Sequence, residues 1–367
     1  MVKKKTPTIS AIDVFCGAGG LTHGFILGGI KVKAGIDTDA ACEYPFEHNN
    51  KGARFINADV KDISAEELTA YYKKGDVKVL AGCAPCQPFS TFRNAYKKKI
   101  RNDADKGLPS SDEDDRWSLL KSFARLVDEL DPDIVTMENV PQLCKHKVFD
   151  EFVASLKKKK YHVTHEVVDC SKYGIPQRRK RLVLLASKKG KIDLPDSSSY
   201  KDIDNSVRKA IGNLAPIKAG DSDPSDSLHK SRNLTSINLK RIKASKPGGT
   251  WKDWDKELLP ACYRRETGES FKSVYGRMTW SDPSPVITTQ FYNYGTGRFG
   301  HPKQDRAISL REAALLQTFP LDYSFVKEEE LVTLSTVGRL VGNAVPVELG
   351  RLISRSIVKH VGEHEWN

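Results

Sequence analysis

The sequence predicts an α/β protein, with a doubly wound, mostly parallel sheet and a second, smaller, irregular domain. Three observations lead there. Short apolar runs alternate with helix-like segments through the first half of the chain, a rhythm that builds parallel sheets faced by helices. A glycine turn, Cys16-Gly-Ala-Gly-Gly20, follows the first apolar run. Between 188 and 260 the alternation gives way to a stretch rich in Lys, Asp, Ser and Pro with weak periodicity.

The elements follow in chain order. SAIDVF (Ser10–Phe15) and VKAGID (Val32–Asp37) read as strands, and a further short strand precedes Asn57-Ala-Asp-Val60. Ser64-Ala-Glu-Glu67 is a capping box that opens a helix. VKVLAG (Val77–Gly82) is the next strand. From Trp117 to Leu130 apolar side chains fall at 119, 120, 123, 126, 127 and 130, which is helical spacing, and Pro132 stops the helix. Strands are expected at Asp133–Met137, Tyr161–Cys170 and Arg181–Ser187. A second capping box, Ser309-Leu-Arg-Glu312, opens a helix through Leu316. A final helix is expected over Val345–Val358, with Pro346 in its first turn. Composition divides the chain at 187/188.

The 367 residues carry a formal charge of +12, which favours a polyanionic partner, nucleic acid before an anionic membrane. No apolar run approaches the ~18 residues of a spanning helix, and Asp13 and His23 interrupt the stretch behind the basic N-terminus. Neither a membrane span nor a leader is expected. Seven scattered cysteines suit reduced thiols in a cytosolic or nuclear compartment.

Ligands of doubly wound sheets bind at the carboxyl ends of the strands, and the notable motifs all fall at such ends. Gly17, Gly19 and Gly20 let the backbone approach a ligand, but Thr22 stands where the dinucleotide fingerprint needs its last glycine. Asp37 ends the next strand, where an acid can bond both ribose hydroxyls. Asp59 could accept an adenine amino hydrogen. Together they suit a nucleoside cofactor without a diphosphate; S-adenosylmethionine fits and NAD fits less well. A tight turn with no ligand is the alternative.

In GCAPCQPFS (Gly82–Ser90) the Cys83-x-x-Cys86 spacing admits a zinc half-site, a redox pair, one nucleophile or two structural thiols. No second such pair exists to complete a zinc site, and no metal is expected. Cys86, beyond the strand end, is the better-placed nucleophile. Cys83 is expected to be a small packed neighbour whose loss matters little. Glu138, in ENV at the end of the Asp133–Met137 strand, is a candidate site acid. Gln177-Arg-Arg-Lys-Arg181 leads into the following strand, where Arg179 and Arg181 would share one face by period-two alternation.

With these residues in view, the chain resembles the bacterial DNA (cytosine-5)-methyltransferases over nearly its whole length. DVFCGAGGL resembles the family's first cofactor motif, APCQPFS its Pro-Cys motif, and MENV its Glu-Asn-Val motif. QRRKR resembles Gln-x-Arg-x-Arg, RAISLREAALLQTFP (Arg306–Pro320) the support motif of the recognition domain, and RLVGNAVPVELG (Arg339–Gly350) the last motif, which returns to the cofactor site. Thr38 departs from the aromatic residue that many relatives carry after the ribose-binding acid.

The resemblance implies a Rossmann-like catalytic domain (1–187) that binds S-adenosylmethionine, a target-recognition domain (188–327) and a C-terminal segment (328–367) that returns to the catalytic domain. It implies Cys86 as nucleophile toward carbon 6 of a flipped-out cytosine, with Glu138, Arg179 and Arg181 around the base. Phe15, Pro85 and Asn343 join Gly17, Gly19, Gly20, Asp37 and Asp59 as cofactor residues. Residues 88 to 117 resemble a mobile catalytic loop. Tyr292, Tyr294, Arg298 and Phe299 suit DNA contact or packing within their domain. Double-stranded DNA is the implied substrate, with tRNA as the alternative. The implied setting is the cytoplasm of a bacterium, near the nucleoid, in a monomer with a cognate restriction endonuclease as possible partner.

Overall fold

The computed structural model describes residues 7–84, 117–264 and 273–366. Two compact units divide the chain: Met1–Asp169 with Lys180–Asp196 and Leu349–Asn367, and Cys170–Arg179 with Ser197–Glu348.

The first unit is built on seven strands: β1 (Ile9–Val14), β2 (Lys31–Asp37), β3 (Arg54–Asn57), β4 (Val77–Gly82), β5 (Ile134–Asn139), β6 (His162–Asp169) and β7 (Lys180–Ser187). They lie in the order β3-β2-β1-β4-β5-β7-β6. Pairings are parallel from β3 through β5, and β7 is antiparallel to both β5 and β6. Strand order reverses between β1 and β4. Their carboxyl ends therefore flank the switch point, where this architecture opens its crevice.

Helix α1 (Gly20–Leu27) follows the glycine turn, and short helices α2 (Glu43–Asn49) and α3 (Ala65–Thr69) follow in the next connections. The Ser64 side chain and Glu67 form the expected capping box at the start of α3. Helix α4 (Trp117–Leu130) buries Leu120, Phe123, Leu126, Val127 and Leu130 in one core with Ile12, Ile36, Leu80 and Val135 of the strands. Phe149, Phe152 and Leu156 of α5 (Lys147–Lys158) join it. A Cβ on Gly82 would stand 2.7 Å from the Phe123 ring, so only glycine lets β4 end beneath α4.

The second unit has little regular structure. Its helices are α6 (Val207–Ile211), α7 (Ser236–Ala244), α8 (Leu310–Leu316) and α9 (Leu334–Asn343), and strands β8 (Ser222–Asp223) and β9 (Asp226–Lys230) pair into a small ribbon. Its aromatic core gathers Trp251, Trp254 and Tyr294 around Ile242. Buried polar side chains supply what a sheet otherwise would. Arg277 donates to the carbonyls of Ile242, Ser245, His301 and Gln304. Ser309 caps α8 in the expected capping box with Glu312.

Within the second unit, hydrogen bonds join segments far apart in the chain. Gln177 donates to the Gln317 side chain, and Gln317 in turn donates to the Val341 carbonyl. The last helix, α10 (Val347–Glu363), starts after Pro346 and runs five residues past the expected end at Val358.

Candidate active site

The β1 carboxyl end enters a tightly coiled turn. Phe15, Gly17 and Gly19 have φ of 63°, 52° and 86°. Glycine takes such angles without cost, whereas Phe15 holds its angle under strain. The Gly17 N–H donates to Asp37 Oδ2 at 2.9 Å and the Asp39 N–H to Oδ1 at 3.0 Å. Asp37 thus ties the turn to the end of β2. Asp59 is half-buried and accepts from the Lys61 N–H, while Thr38 is exposed. Beneath the turn lies a residue that the sequence reading passed over. Asp13 is fully buried, accepts from Thr22 Oγ1 at 2.7 Å and leaves Oδ1 without a hydrogen-bond partner among the described residues. Burial, with Asp37 nearby adding to it, pushes its carboxyl up to about 7.

The β4 carboxyl end delivers Cys83 and Ala84; Pro85, Cys86 and the loop from 88 to 116 lie outside the described residues. In the parallel β4–β5 pair Gly82 is opposite Met137, so the next residues, Cys83 and Glu138, become neighbours. Cys83 Sγ donates to Glu138 Oε2 at 2.9 Å. Arg181 Nε stands 2.9 Å from Glu138 Oε1 as an ion pair, off the line of a hydrogen bond. The antiparallel register pairs Glu138 with Val183, which makes Arg181 its diagonal neighbour. Glu138 is 3% exposed. Asn139 Nδ2 donates to the Ala84 carbonyl at 3.1 Å, pinning the start of the Pro-Cys segment to β5. A strand-by-strand reading does not reveal the Cys83 and Asn139 contacts, because the sheet register creates them.

Arg179 directly precedes β7, which begins at Lys180, and its carbonyl accepts from the Cys170 N–H at 2.8 Å. Within the second unit Arg179 is buried and reaches the carbonyls of Ile287 and Ala344 at 3.4 Å each. Asn343, at the end of α9, is exposed. The aromatic stretch is resolved toward packing: Tyr292, Tyr294 and Phe299 are buried, and Arg298 donates to the Gly249 carbonyl.

Residues 9–359 match the model of the C-5 cytosine-specific DNA methylases. The chain belongs to that family. Type II methylase M.HgiDII of Herpetosiphon aurantiacus is 49% identical over 360 residues, covering 97% of each chain. Type II methyltransferase M1.HphI of Haemophilus parahaemolyticus is 29% identical over 359 residues, covering 96% of this chain and 87% of that one. The crystal structure of a DNA modification methyltransferase encoded in an Escherichia coli prophage superposes with a TM-score of 0.71 at 21% identity, covering 97% of this chain and 100% of that one; this likeness speaks to the fold. A cytosine-5 methylase of this family acts on DNA and needs a methyl donor. Among the described residues no cluster of His, Cys, Asp and Glu could hold a metal, and no helix is long and apolar enough to cross a membrane.

Proposed function

We propose that the protein methylates carbon 5 of a flipped-out cytosine in a specific duplex DNA sequence, using S-adenosylmethionine and a covalent adduct with Cys86. The observation that carries this reading is the buried Glu138 carboxyl at the β5 end, with Arg181 on one oxygen and Cys83 on the other.

S-adenosylmethionine would supply an electrophilic sulfonium methyl. Its fit rests on the open turn at Gly17, where no atom of the other described residues lies within 4 Å of a Cβ position, and on the Asp37 carboxylate that the Gly17 N–H holds beside that turn. Asp37 would take the ribose hydroxyls and Asp59 the adenine amine, with Phe15, Gly17, Gly19, Gly20, Pro85 and Asn343 completing the binding residues. The target carbon cannot be reached inside a stacked duplex, so the base is taken out of it. The Cys86 thiolate adds to carbon 6 and makes carbon 5 nucleophilic. Glu138, neutral in this step, donates to ring nitrogen 3 and accepts from the exocyclic amine, countering charge as it develops. Arg181 orients Glu138, and Arg179 bonds the cytosine carbonyl. Loss of the carbon 5 proton then expels Cys86 by elimination.

Residues 188–327 would read the target sequence. The Type II names of the relatives support a place in a bacterial restriction–modification system, with the protein working as a cytoplasmic monomer beside a cognate endonuclease. DNA containing 5-fluorocytosine should trap wild-type protein covalently in the presence of S-adenosylmethionine, because no proton can leave carbon 5. Failure to trap, or trapping by Cys86→Ala, overturns the mechanism. Trapping on tRNA but not on duplex DNA moves the substrate to RNA.

A further inference from the structure

We propose that Cys83 is a positioning residue for Glu138, its thiol fixing which carboxyl oxygen is presented to the cytosine. The proposal rests on the reading of Glu138 as the group that meets the base.

Cys83 is held from two sides. Its own N–H donates to the Val14 carbonyl at 3.1 Å, extending the β1–β4 ladder one residue beyond the strand. The carbonyl of the following residue, Ala84, is held by Asn139 at 3.1 Å. With the backbone clamped, a single side-chain torsion remains, and it sets the Sγ–Oε2 contact of 2.9 Å. Little entropy is lost in keeping it.

The contact makes the two oxygens of Glu138 different. Oε2 accepts the thiol hydrogen, so the carboxyl plane cannot turn freely. Oε1 faces the Arg181 guanidinium but has no aligned hydrogen bond among the described residues. It is the oxygen with bonding capacity to spare, and an incoming base would use it. A buried polar atom left without a partner is costly, which makes such an atom a natural place for a substrate hydrogen bond. A thiol suits the opposite oxygen. It is a weak donor to the carboxylate and a weak acceptor once the group is protonated, so it tolerates both states without displacing the substrate. A merely packed cysteine would need no carboxyl at its sulfur. Alanine at 83 would leave Oε2 buried without its donor.

Steady-state kinetics on duplex DNA separate the readings. Cys83→Ala should lower kcat about tenfold, the size of one hydrogen bond to an ionisable group, with KM for DNA and for S-adenosylmethionine within about twofold. Cys83→Ser keeps a donor and should recover most of kcat. Equal impairment of the Ser and Ala variants, or an Ala variant with wild-type kcat, overturns the proposal. Glu138→Gln tells the two failures apart. If it retains wild-type kcat, the reading of Glu138 falls; if it is inactive while Cys83→Ala is unaffected, only the role of Cys83 falls. A readout independent of turnover is the S–H stretching band lost in Cys83→Ser. It should lie at the low frequency of a bonded thiol and rise in Glu138→Gln; a free-thiol frequency in the wild type also overturns the proposal.

Discussion

Asp13 and Glu312 are both fully buried carboxyls, one in each unit, and they titrate in opposite directions. Among the described residues Asp13 has a hydroxyl partner, Thr22, and no ion-pair partner, and burial pushes it up to about 7. Burial alone would push Glu312 up as well. There the Arg306 guanidinium bonds both oxygens at 2.7 Å, the Ser309 N–H adds another bond at 2.7 Å, and the carboxyl is held down at about 2. Burial sets the cost of charge, and the partner decides whether charge is kept. The contrast follows from how each unit is built. The sheet of the first satisfies its own backbone and can bury a lone carboxyl beneath a turn. The irregular second unit leaves loop carbonyls and N–H groups that charged side chains must bind.

The largest effect should come from breaking the buried pair. Arg306→Met leaves Glu312 charged without its guanidinium partner, and should cost about 3–5 kcal/mol in urea unfolding. Removing both charges, with Arg306→Met and Glu312→Leu together, should recover most of that loss. A single variant as stable as wild type would show that the ion pair does not hold the second unit.

Opposite pH slopes come next. Asp13 binds its proton more tightly folded than unfolded, since its usual value is 3.8. Its contribution is therefore complete below that value and is lost as pH rises through about 7. Asp13→Asn should abolish that loss and leave the variant more stable than wild type by on the order of 1–3 kcal/mol at mildly alkaline pH. Glu312 behaves in reverse. Its contribution is present above the usual 4.5 and is lost as pH falls through about 2. Glu312→Gln should remove that acid limb, and thermal unfolding between pH 2 and 8 measures both slopes. The smallest effect should be at the exposed pair Lys147–Glu151, 3.3 Å apart on α5. Lys147→Ala should change stability by less than about 0.5 kcal/mol.

The elements were legible where local pattern decides them. Both capping boxes, at Ser64 and Ser309, form as the sequence suggests, and the 117–130 periodicity becomes α4 with its apolar stripe inward. The candidate site was legible in part. Glu138 sits at its strand end, buried beside Arg181. The start of β7 was legible to within one residue: Arg181 was expected and Lys180 is found, so Arg179 directly precedes the strand. The contact between Cys83 and Glu138 was not legible, because the two residues are 55 positions apart in the chain.

By itself, then, the sequence determined the kinds of elements, their order and the family, since capping, periodicity and short motifs are properties of neighbouring residues. Only the tertiary structure decided which buried carboxyl stays charged and which thiol meets Glu138. Those outcomes depend on sheet register and on burial, which arise when strands and side chains far apart in the chain are brought within a few ångströms.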